Sequence, residues 1–597
     1  MEDAKYADWT PQQLIARIRE LEARADKQTA PTTPAPQVQT PLPTTTSTEG
    51  VCTTSLPLRK PPKAPPKSFD FSKYSSRLIA LKFAYLGQRY NGFEHHKNNR
   101  TPLPTVEEEL WKALVKTRLI NPIPTAGEDG KNQELSRITQ KQIESWEREG
   151  ADVNWDGCEY SKCGRTDRGV SAFGQVIGIR VRSNRPVPNM VASGTWTDAN
   201  SDTTSSENDT PAERPNGPMQ DVEGQETSVP EKLFDPIADE IPYIQLLNRV
   251  LPPDIRILAW CPNPPPNFSA RFSCKERRYK YFFTNPCFTP VPGLAGLYKS
   301  PIAEGVQHRE GWLNIDAMQE GCRNLIGLHD FRNFCKIDVS KQITNFQRRI
   351  YYAGIEEISP LAVPRFLADS SLLSLENGDQ PKMYAFVLHG SAFLWHQVRS
   401  IVAILFRIGQ GLESPDLVKE LLDINANPTR PKYEMASDAP LVLWDCIFPA
   451  ESEVQSAEER ETGYQDSLEW IYAGEKGGEE KSGKAGIGRG KWGRGGLMDD
   501  LWEVWRGQKM EECLAGSLMD VVAAQGKGVS EDEHPIAAMG RGVRIFDGAD
   551  FGRSKGNYTR IMKMERTEPV EVLNERYAKK KGWDPAKPRV MNEDPDE

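Results

Sequence analysis

The sequence lacks any long hydrophobic run, since no stretch of its 597 residues approaches the length that crosses a bilayer. A membrane-spanning helix needs about 20 consecutive apolar residues, so we predict no membrane partner. The chain begins Met1-Glu2-Asp3, without the basic start and apolar run of a secretory signal. Apolar residues are also scarce, at 38%, against the roughly 45–50% usual for compact domains. Part of the chain is therefore not expected to belong to a folded core.

The ten cysteines include no Cys-x-x-Cys pair. Cys158 and Cys163 have no His or Cys partner nearby at the spacing of a zinc finger. Free thiols in a reducing compartment are the favoured interpretation, and a metal site or disulfides are the alternatives.

The net charge of −9 would argue against a nucleic-acid partner if it were spread evenly. It is not, because residues 195–231 carry a net −8 and residues 450–597 carry a net −7. The rest of the chain is net positive, although too weakly to indicate nucleic-acid binding without local clustering.

Several segments are predicted to lie outside the core. A short amphipathic helix opens at Thr10-Pro11 and is either a partner-docking helix or a frayed terminus. A Pro/Thr-rich linker follows over 30–67, and 121–157 and 195–231 are taken as disordered insertions. We predict four parts. Residues 1–74 form an N-terminal helix and linker, and residues 75–266 form a first half that contains both insertions. Residues 267–449 form a second half, and residues 450–597 form a partly disordered extension.

The two middle segments are predicted to have an α+β fold. Apolar strands alternate with amphipathic helices twice, in similar order, which predicts two related halves around a shared sheet. The helix around Val398–Ile408 ends at Gly409-Gln-Gly411. The predicted strands are Leu78–Leu86, Gln175–Arg182, Ile255–Trp260, Arg278–Phe283, Arg349–Ile358, Tyr384–Leu388 and Leu441–Phe448.

The densest group of reactive side chains is Cys163-Gly-Arg-Thr-Asp-Arg-Gly-Val-Ser-Ala172. Its glycines permit a tight turn that lifts Asp167 out of the fold between Arg165 and Arg168. A carboxylate flanked by arginines is expected to have a lowered pKa, which suits a nucleophile or a base. A charged surface turn is the alternative on this chemistry alone.

This motif resembles the catalytic motif of the TruA family of tRNA pseudouridine synthases. Further segments resemble that family in the expected order, and two more resemble its eukaryotic branch acting at tRNA positions 38 and 39. The resemblance covers about 75–194 and 232–449, and it makes the surface-turn alternative for Asp167 a weak one. The supporting segments are Phe83–Phe93, Phe268–Tyr281 and Phe393–Val402 for the family, and Gly327–Lys336 and Asn345–Arg348 for the branch.

The resemblance implies two ferredoxin-like, RRM-like halves sharing a mostly antiparallel sheet, with the active-site cleft between them. It implies Asp167 as the catalytic residue, Arg399 as its partner, and no cofactor or metal. Arg165 would occupy the space that the flipped base leaves, and Tyr279 would stack on the uracil. Arg168, where bacterial relatives often have Ala, is taken as a third substrate-binding residue.

Each assignment has a structural alternative. Tyr279 lies on a predicted strand, where an aromatic side chain is more often core. Arg399 projects about 100° from the adjacent Val398 on the helix and is otherwise an ordinary solvated arginine. A packed or RNA-facing role is favoured for His396. The basic, Gly-rich segment Lys481–Gly496 is either a flexible linker or a non-specific RNA contact.

We predict from these features a tRNA pseudouridine synthase acting on the anticodon stem-loop, a homodimer, in the nucleus, the cytoplasm or both. Two other classes are disfavoured. A non-catalytic RNA-binding protein would not need Asp167, Tyr279 and Arg399 together. A phosphotransferase with an Asp nucleophile would need metal-binding carboxylates or a phosphate loop, and neither is evident.

Overall fold

The structure is a computed structural model, and ten segments of it are described. They are residues 69–96, 101–121, 140–187, 234–288, 311–360, 381–475, 490–526, 543–548, 553–555 and 557–583. The predicted helix that opens at Thr10-Pro11, the linker 30–67 and the acidic segment 195–231 lie outside the described residues.

One large sheet organises the described chain. Its order is β10-β4-β1-β3-β9-β5-β8-β7-β6, with β2 pairing on β3. The strands are β1 Ser75–Tyr85, β2 Ser161–Lys162, β3 Ser171–Ser183, β4 Ile255–Cys261, β5 Glu276–Asn285, β6 Gly327–Asp330, β7 Gln347–Pro360, β8 Lys382–Gly390, β9 Leu441–Ile447 and β10 Ile471–Tyr472. A small separate hairpin pairs β11 Val543–Ile545 with β12 Arg553–Lys555.

The two halves meet at the centre of this sheet. Strand β3 of the first half pairs with β9 in parallel, through Ser171 opposite Val442 and Ala172 opposite Leu443. The other strand pairs of the described sheet are antiparallel. The α+β prediction with a shared, mostly antiparallel sheet is therefore confirmed, while the exact domain limits stay predictions.

The described residues form ten helices, and two of them cover the core of the sheet. The helix α1 packs on the first half, and α5 is buried along its whole length in the second. They are α1 Val106–Lys116, α2 Gln140–Glu149, α3 Tyr243–Asn248, α4 Ile315–Arg323, α5 Gln397–Gly409, α6 Leu417–Leu422, α7 Glu451–Gln455, α8 Glu459–Thr462, α9 Leu497–Ala523 and α10 Val570–Lys581.

The start of α1 shows how the sequence fixes a helix end. The Thr105 hydroxyl accepts from the Glu108 amide at 3.2 Å, as the Thr-x-x-Glu pattern predicts. The Glu108 carboxylate, however, accepts from the Ala151 amide at 2.9 Å and binds Lys112 at 2.7 Å. Glu108 thus ties the segment after α2 to the first half.

The treatment of 121–157 as a disordered insertion was wrong for its second part. Helix α2 forms there, and its Trp146 packs edge-on against Trp111 of α1 at 5.4 Å between ring centroids. Ala151 and Val153 are buried in the core, and the Trp111 indole donates to the Asn154 carbonyl at 2.8 Å. The ring contact with Trp111, together with hydrogen bonds that join this segment to Trp111 and Glu108, holds it against α1 despite its polar sequence.

The C-terminal extension also belongs partly to the fold. Strand β10 adds to the sheet edge beside β4. Ile561 and Val570 are buried in the core of the second half, and Arg566 donates to the Thr429 carbonyl and the Asn427 side chain at 2.9 Å. These contacts pack residues 561–570 against the second half of the molecule.

Within the described residues, no helix combines the length and the apolar character that crossing a bilayer requires.

A buried ion pair holds the beginning of β1. Arg77 and Glu240 lie 3.0 Å apart, with 4% and 0% of their side chains exposed. Burial acts to raise the pKa of Glu240, but hydrogen bonds from Ser183, the amides of residues 184 and 241, and Arg77 lower it below its ordinary value.

We expect Glu240→Ala to lower the free energy of unfolding by about 3 kcal/mol, because it leaves the Arg77 charge buried and uncompensated. Since the folded-state pKa is lowered, this stabilisation is present at neutral pH and is lost as the pH falls through the acid range. Urea unfolding at pH 7 and pH 4 measures both. The exposed pair Lys382–Glu357, at the similar distance of 2.9 Å, supplies the control: Glu357→Ala should cost less than about 1 kcal/mol. Equal losses in the two variants would contradict the role of burial.

Candidate active site

A cleft of about 840 Å³ opens where the two halves meet. The loop 164–169 between β2 and β3 forms one wall, and the segment 392–399 leading into α5 forms the opposite wall. Asp167, Arg165, Arg168, Tyr279 and Arg399 all line this cleft. The structure therefore brings together all five residues that the sequence predicted.

The loop that carries Asp167 is fixed from both sides. The Phe93 amide donates to the Thr166 carbonyl at 3.1 Å, and the Thr166 hydroxyl is 2.7 Å from the Tyr85 hydroxyl. Gln175, fully buried, accepts from the Gly164 amide and donates to the Gly164 carbonyl at 3.1 and 2.9 Å. Such a loop holds the Asp167 carboxylate in place before any ligand arrives. Little entropy is then lost in positioning this group when a ligand binds.

A glycine makes this close packing possible. Gly92 has φ +88°, and a Cβ there would lie 2.8 Å from the Thr166 carbonyl oxygen. Gly92 and Phe93 therefore pack directly against the loop 164–169 and support it.

Asp167 faces the N-terminal end of α5. Its Oδ2 lies 3.9 Å from Arg399 Nη1 and 3.4 Å from His396 Nε2. The Trp395 side chain acts to lower the pKa of the carboxylate. The predicted pairing of Arg399 with Asp167 is present as an ion pair at the long end of the range.

Arg399 is held by further contacts. Its Nε donates to the Ala436 carbonyl at 2.8 Å, and its Nη2 lies 3.8 Å from Asp438 Oδ2. The residue is 8% exposed, so it is not the ordinary solvated arginine of the alternative interpretation. A planar, multi-donor guanidinium is the side chain that meets a carbonyl and two carboxylates at once.

The expected lowering of the Asp167 pKa was wrong. Burial raises the pKa of Asp167 above its ordinary value, and the lowering by Arg399, Trp395 and Lys336 does not offset it. The flanking arginines were expected to do so, but Arg165 Nε lies 3.2 Å from Glu94 Oε1 instead. Adjacency in sequence does not bring their charges onto Asp167, because neighbouring side chains of the turn point in different directions.

We expect this raised pKa to appear in the pH profile. Activity that needs the Asp167 carboxylate should fall with decreasing pH at a value above that of an ordinary aspartate. Removing the Arg399 charge should move this acid limb to higher pH, because Arg399 favours the ionised form. The other charged groups that face the carboxylate, Asp438 and Lys336, are the same in the wild type and in the Arg399 variant.

His396 needs its own control in that measurement. Burial, Arg399 and Lys336 lower the pKa of His396 to about 4, so its ring is neutral near pH 7. The His396→Asn variant, which tolerates the φ of 60° at this position, should keep an acid limb. Loss of the limb in His396→Asn would assign it to the histidine and contradict the prediction.

The two remaining arginines lie on the open side of the cleft. Arg165 and Arg168 are exposed, and Arg165 shares Glu94 with Lys162, whose Nζ lies 3.0 Å from Glu94 Oε1. Both arginines are placed to meet a ligand entering from solvent rather than to interact with Asp167.

Tyr279 forms the cleft floor on β5. It packs edge-on against Phe393 at 5.0 Å, and it is only partly buried. Burial raises the pKa of Tyr279, so its hydroxyl stays protonated. The next residues on this face, Tyr281 and Phe283, are buried core, which shows that position 279 is where the strand leaves the core and enters the cleft.

Sequence reasoning missed several residues of the site. Trp395 is 42% exposed, with the Lys336 ammonium 4.2 Å above its ring, and Gln175 and Asp438 support the loop and Arg399. The presence of a tryptophan in the motif Phe393–Val402 was a signal that the sequence offered. Nothing in the sequence marks Asp438, which lies 271 residues after Asp167.

The arrangement combines one half-buried carboxylate, a fixed guanidinium and an aromatic floor in a basic cleft. Such a site suits attack or proton transfer by Asp167 on a planar ligand with nearby negative charge, and it defines an enzyme rather than a passive binding fold.

Comparison with known proteins is specific. A family model described as tRNA pseudouridine synthase matches residues 322–449. The tRNA pseudouridine(38/39) synthase of Saccharomyces cerevisiae is 33% identical over 97% of this chain and 93% of its own length. The Homo sapiens protein of that name is 36% identical over 64% of this chain and 58% of its own length. A bacterial tRNA pseudouridine synthase A, from Janthinobacterium, is 30% identical over 30% of this chain and 56% of its own.

The chain therefore belongs to the tRNA pseudouridine synthase family, as the motifs predicted.

Proposed function

We propose that this protein isomerises uridine to pseudouridine in the anticodon stem-loop of tRNA, at positions 38 and 39. The observation that carries the proposal is the 33% identity to the yeast tRNA pseudouridine(38/39) synthase across nearly the whole of both chains. The cleft supports it, because Asp167 and Arg399 lie together there among basic side chains.

The reaction breaks the bond from N1 of uracil to C1′ of the ribose and forms a bond from C5 to C1′. The base stays in the site and turns between the two steps; C5 loses its hydrogen as a proton, and N1 gains one. Asp167 acts at the sugar, covalently or through closely related chemistry, and no external reactant is consumed. Arg399 stabilises the ionised Asp167 before and after the step.

Binding the target requires extruding it from the stem, at a cost of a few kcal/mol. Tyr279 offers a face for the extruded uracil, and Arg165, at the open side, enters the space that the base leaves. Arg168 contacts the adjacent phosphate. The basic residues Lys336, Lys341 and Arg348 also line the cleft and favour a polyanion there.

The product test uses an unmodified tRNA transcript with uridine at both 38 and 39, mapped for pseudouridine by chemical modification and reverse transcription. Transcripts with cytidine at one or both positions are the matched controls. We expect pseudouridine at 38 and 39 and nowhere else in the transcript. Product at a different position would overturn the assigned positions, and no product on any tRNA would overturn the function.

A homodimer is part of the proposal, supported by the resemblance of the chain to a family whose members dimerise. Size-exclusion chromatography with light scattering at micromolar concentration tests it. Twice the chain mass of 67.1 kDa is the expected result, and a monomer would contradict it.

We further propose that the protein works in the nucleus, the cytoplasm or both. The support is its proposed substrate, and the nine free cysteines of the described residues suit a reducing compartment. Fluorescence of the tagged full chain tests this, and a signal confined to a secretory compartment would contradict it.

A further inference from the structure

Three cysteines that are far apart in the sequence meet behind the catalytic loop. The sulfur atoms of Cys163, Cys274 and Cys446 all lie within 4.8 Å of one another, and all three residues are buried. We infer that this cluster binds one thiophilic divalent cation of the zinc class, which joins the catalytic loop to the second half of the molecule.

The spacing of the sulfur atoms suits such an ion. Zinc–thiolate bonds of about 2.3 Å in a tetrahedral centre place sulfur atoms about 3.8 Å apart. The cluster therefore needs only a small contraction to coordinate an ion. Three thiolates leave one tetrahedral position for a water molecule, and Cys163 borders the cleft from which water would come.

The backbone already holds the three ligands in place. The Cys163 amide donates to the Val176 carbonyl at 2.9 Å, and Cys446 lies on β9 opposite Arg277 of β5. The Cys274 thiol donates to the Glu276 carbonyl at 3.3 Å, and the proton of this bond is the one that a bound ion would displace. Because the backbone around each cysteine is already ordered, binding the ion costs little conformational entropy, which favours affinity.

The charge nearby favours a divalent ion over a monovalent one. The Arg277 guanidinium donates to the carbonyls of Ser391, Cys163 and Arg271 at 3.1, 2.9 and 3.3 Å. Within the described residues, no carboxylate forms a salt bridge with it. Three thiolates and one divalent cation carry a net −1, which Arg277 balances, whereas a monovalent ion such as Cu(I) would leave a buried excess of negative charge.

The position of the site suggests a structural role. Cys163 lies four residues before Asp167, and the other two ligands belong to the second half. An ion here would fix the start of the catalytic loop against the strand pair that carries Tyr279. This role is separate from the reaction at Asp167.

The test measures metal content directly. The full chain is expressed with added zinc, purified without chelator, and analysed by inductively coupled plasma mass spectrometry. We expect about one zinc per chain, falling at least about tenfold in Cys446→Ser, as expected when a ligand is removed from a structural site. Cys322→Ser, which removes a buried cysteine outside the cluster, should keep the wild-type content. Circular dichroism confirms that each variant is folded.

A second measurement covers the case in which Cys446→Ser does not fold. Metal-free wild-type protein is titrated with Cd²⁺, and thiolate-to-cadmium charge-transfer absorption is expected to saturate at one ion per chain. Wild-type protein that carries no zinc and shows no stoichiometric cadmium absorption would overturn the inference. So would a disulfide between two of the three cysteines in the purified protein, or equal metal loss in the Cys322→Ser control.

Discussion

Asp167→Ala is expected to lower the rate of pseudouridine formation by about 10⁴-fold or more, the scale of loss when a nucleophile is removed from a preorganised site. The reason is geometric. Asp167 is the carboxylate that the loop 164–169 presents toward Arg399, and hydrogen bonds through Thr166 and Gln175 fix that loop. Affinity for tRNA should change less than about threefold, because binding is dominated by phosphate contacts with basic side chains.

Two controls sharpen this expectation. Asp167→Asn keeps the shape of the side chain and should be as inactive as Asp167→Ala, since an amide cannot replace the carboxylate. Asp338→Ala removes another carboxylate that lines the cleft and should keep near-wild-type activity. A residual rate in Asp167→Asn within tenfold of wild type would contradict the catalytic assignment.

Arg399→Gln is expected to reduce turnover by about 10²–10³-fold, the loss seen when one preorganised charge partner is removed from a site. Glutamine can still hydrogen-bond the Ala436 carbonyl, but it no longer supplies the charge near Asp167 and Asp438. Because that charge favours the ionised carboxylate, part of the loss should be recovered as the pH rises.

Arg399→Lys tests whether charge alone is sufficient. A lysine ammonium is a point charge without the planar fork of arginine, so we expect this variant to recover activity only partly. The exposed Arg323 on α4 provides a matched control, and Arg323→Gln should leave turnover unchanged. Recovery of full activity in Arg399→Lys would contradict the role given to the guanidinium geometry.

Much of this site could be predicted because the chemistry is concentrated in short motifs. Asp167, Arg165 and Arg168 occupy one turn, and Tyr279 and Arg399 lie in two further motifs of the same family pattern. Strand and helix positions followed from apolar periodicity, as at β5, where Tyr281 and Phe283 are buried. These features depend on residues that are close together in the sequence, so one sequence is enough to predict them.

Other features depend on contacts between distant segments. The raised pKa of Asp167 results from burial by the second half, so the adjacent arginines gave the wrong direction. Helix α2 is stable because Trp146 meets Trp111, and its own polar sequence gave little sign of it. The order of the strands in the sheet likewise brings together Cys163, Cys274 and Cys446, and their separation along the sequence gave no sign of it.

The most direct test of the central claim follows the hydrogen at C5 of uracil. A tRNA transcript labelled with 5-tritiated uridine is mixed with excess wild-type protein or Asp167→Ala in a single turnover, and tritium released to water is counted. Since C5 becomes bonded to the ribose, wild-type protein should release tritium equivalent to the target uridines, and the variant should bind the tRNA but release none. Release by Asp167→Ala at the wild-type rate would contradict the role of Asp167 in this cleft.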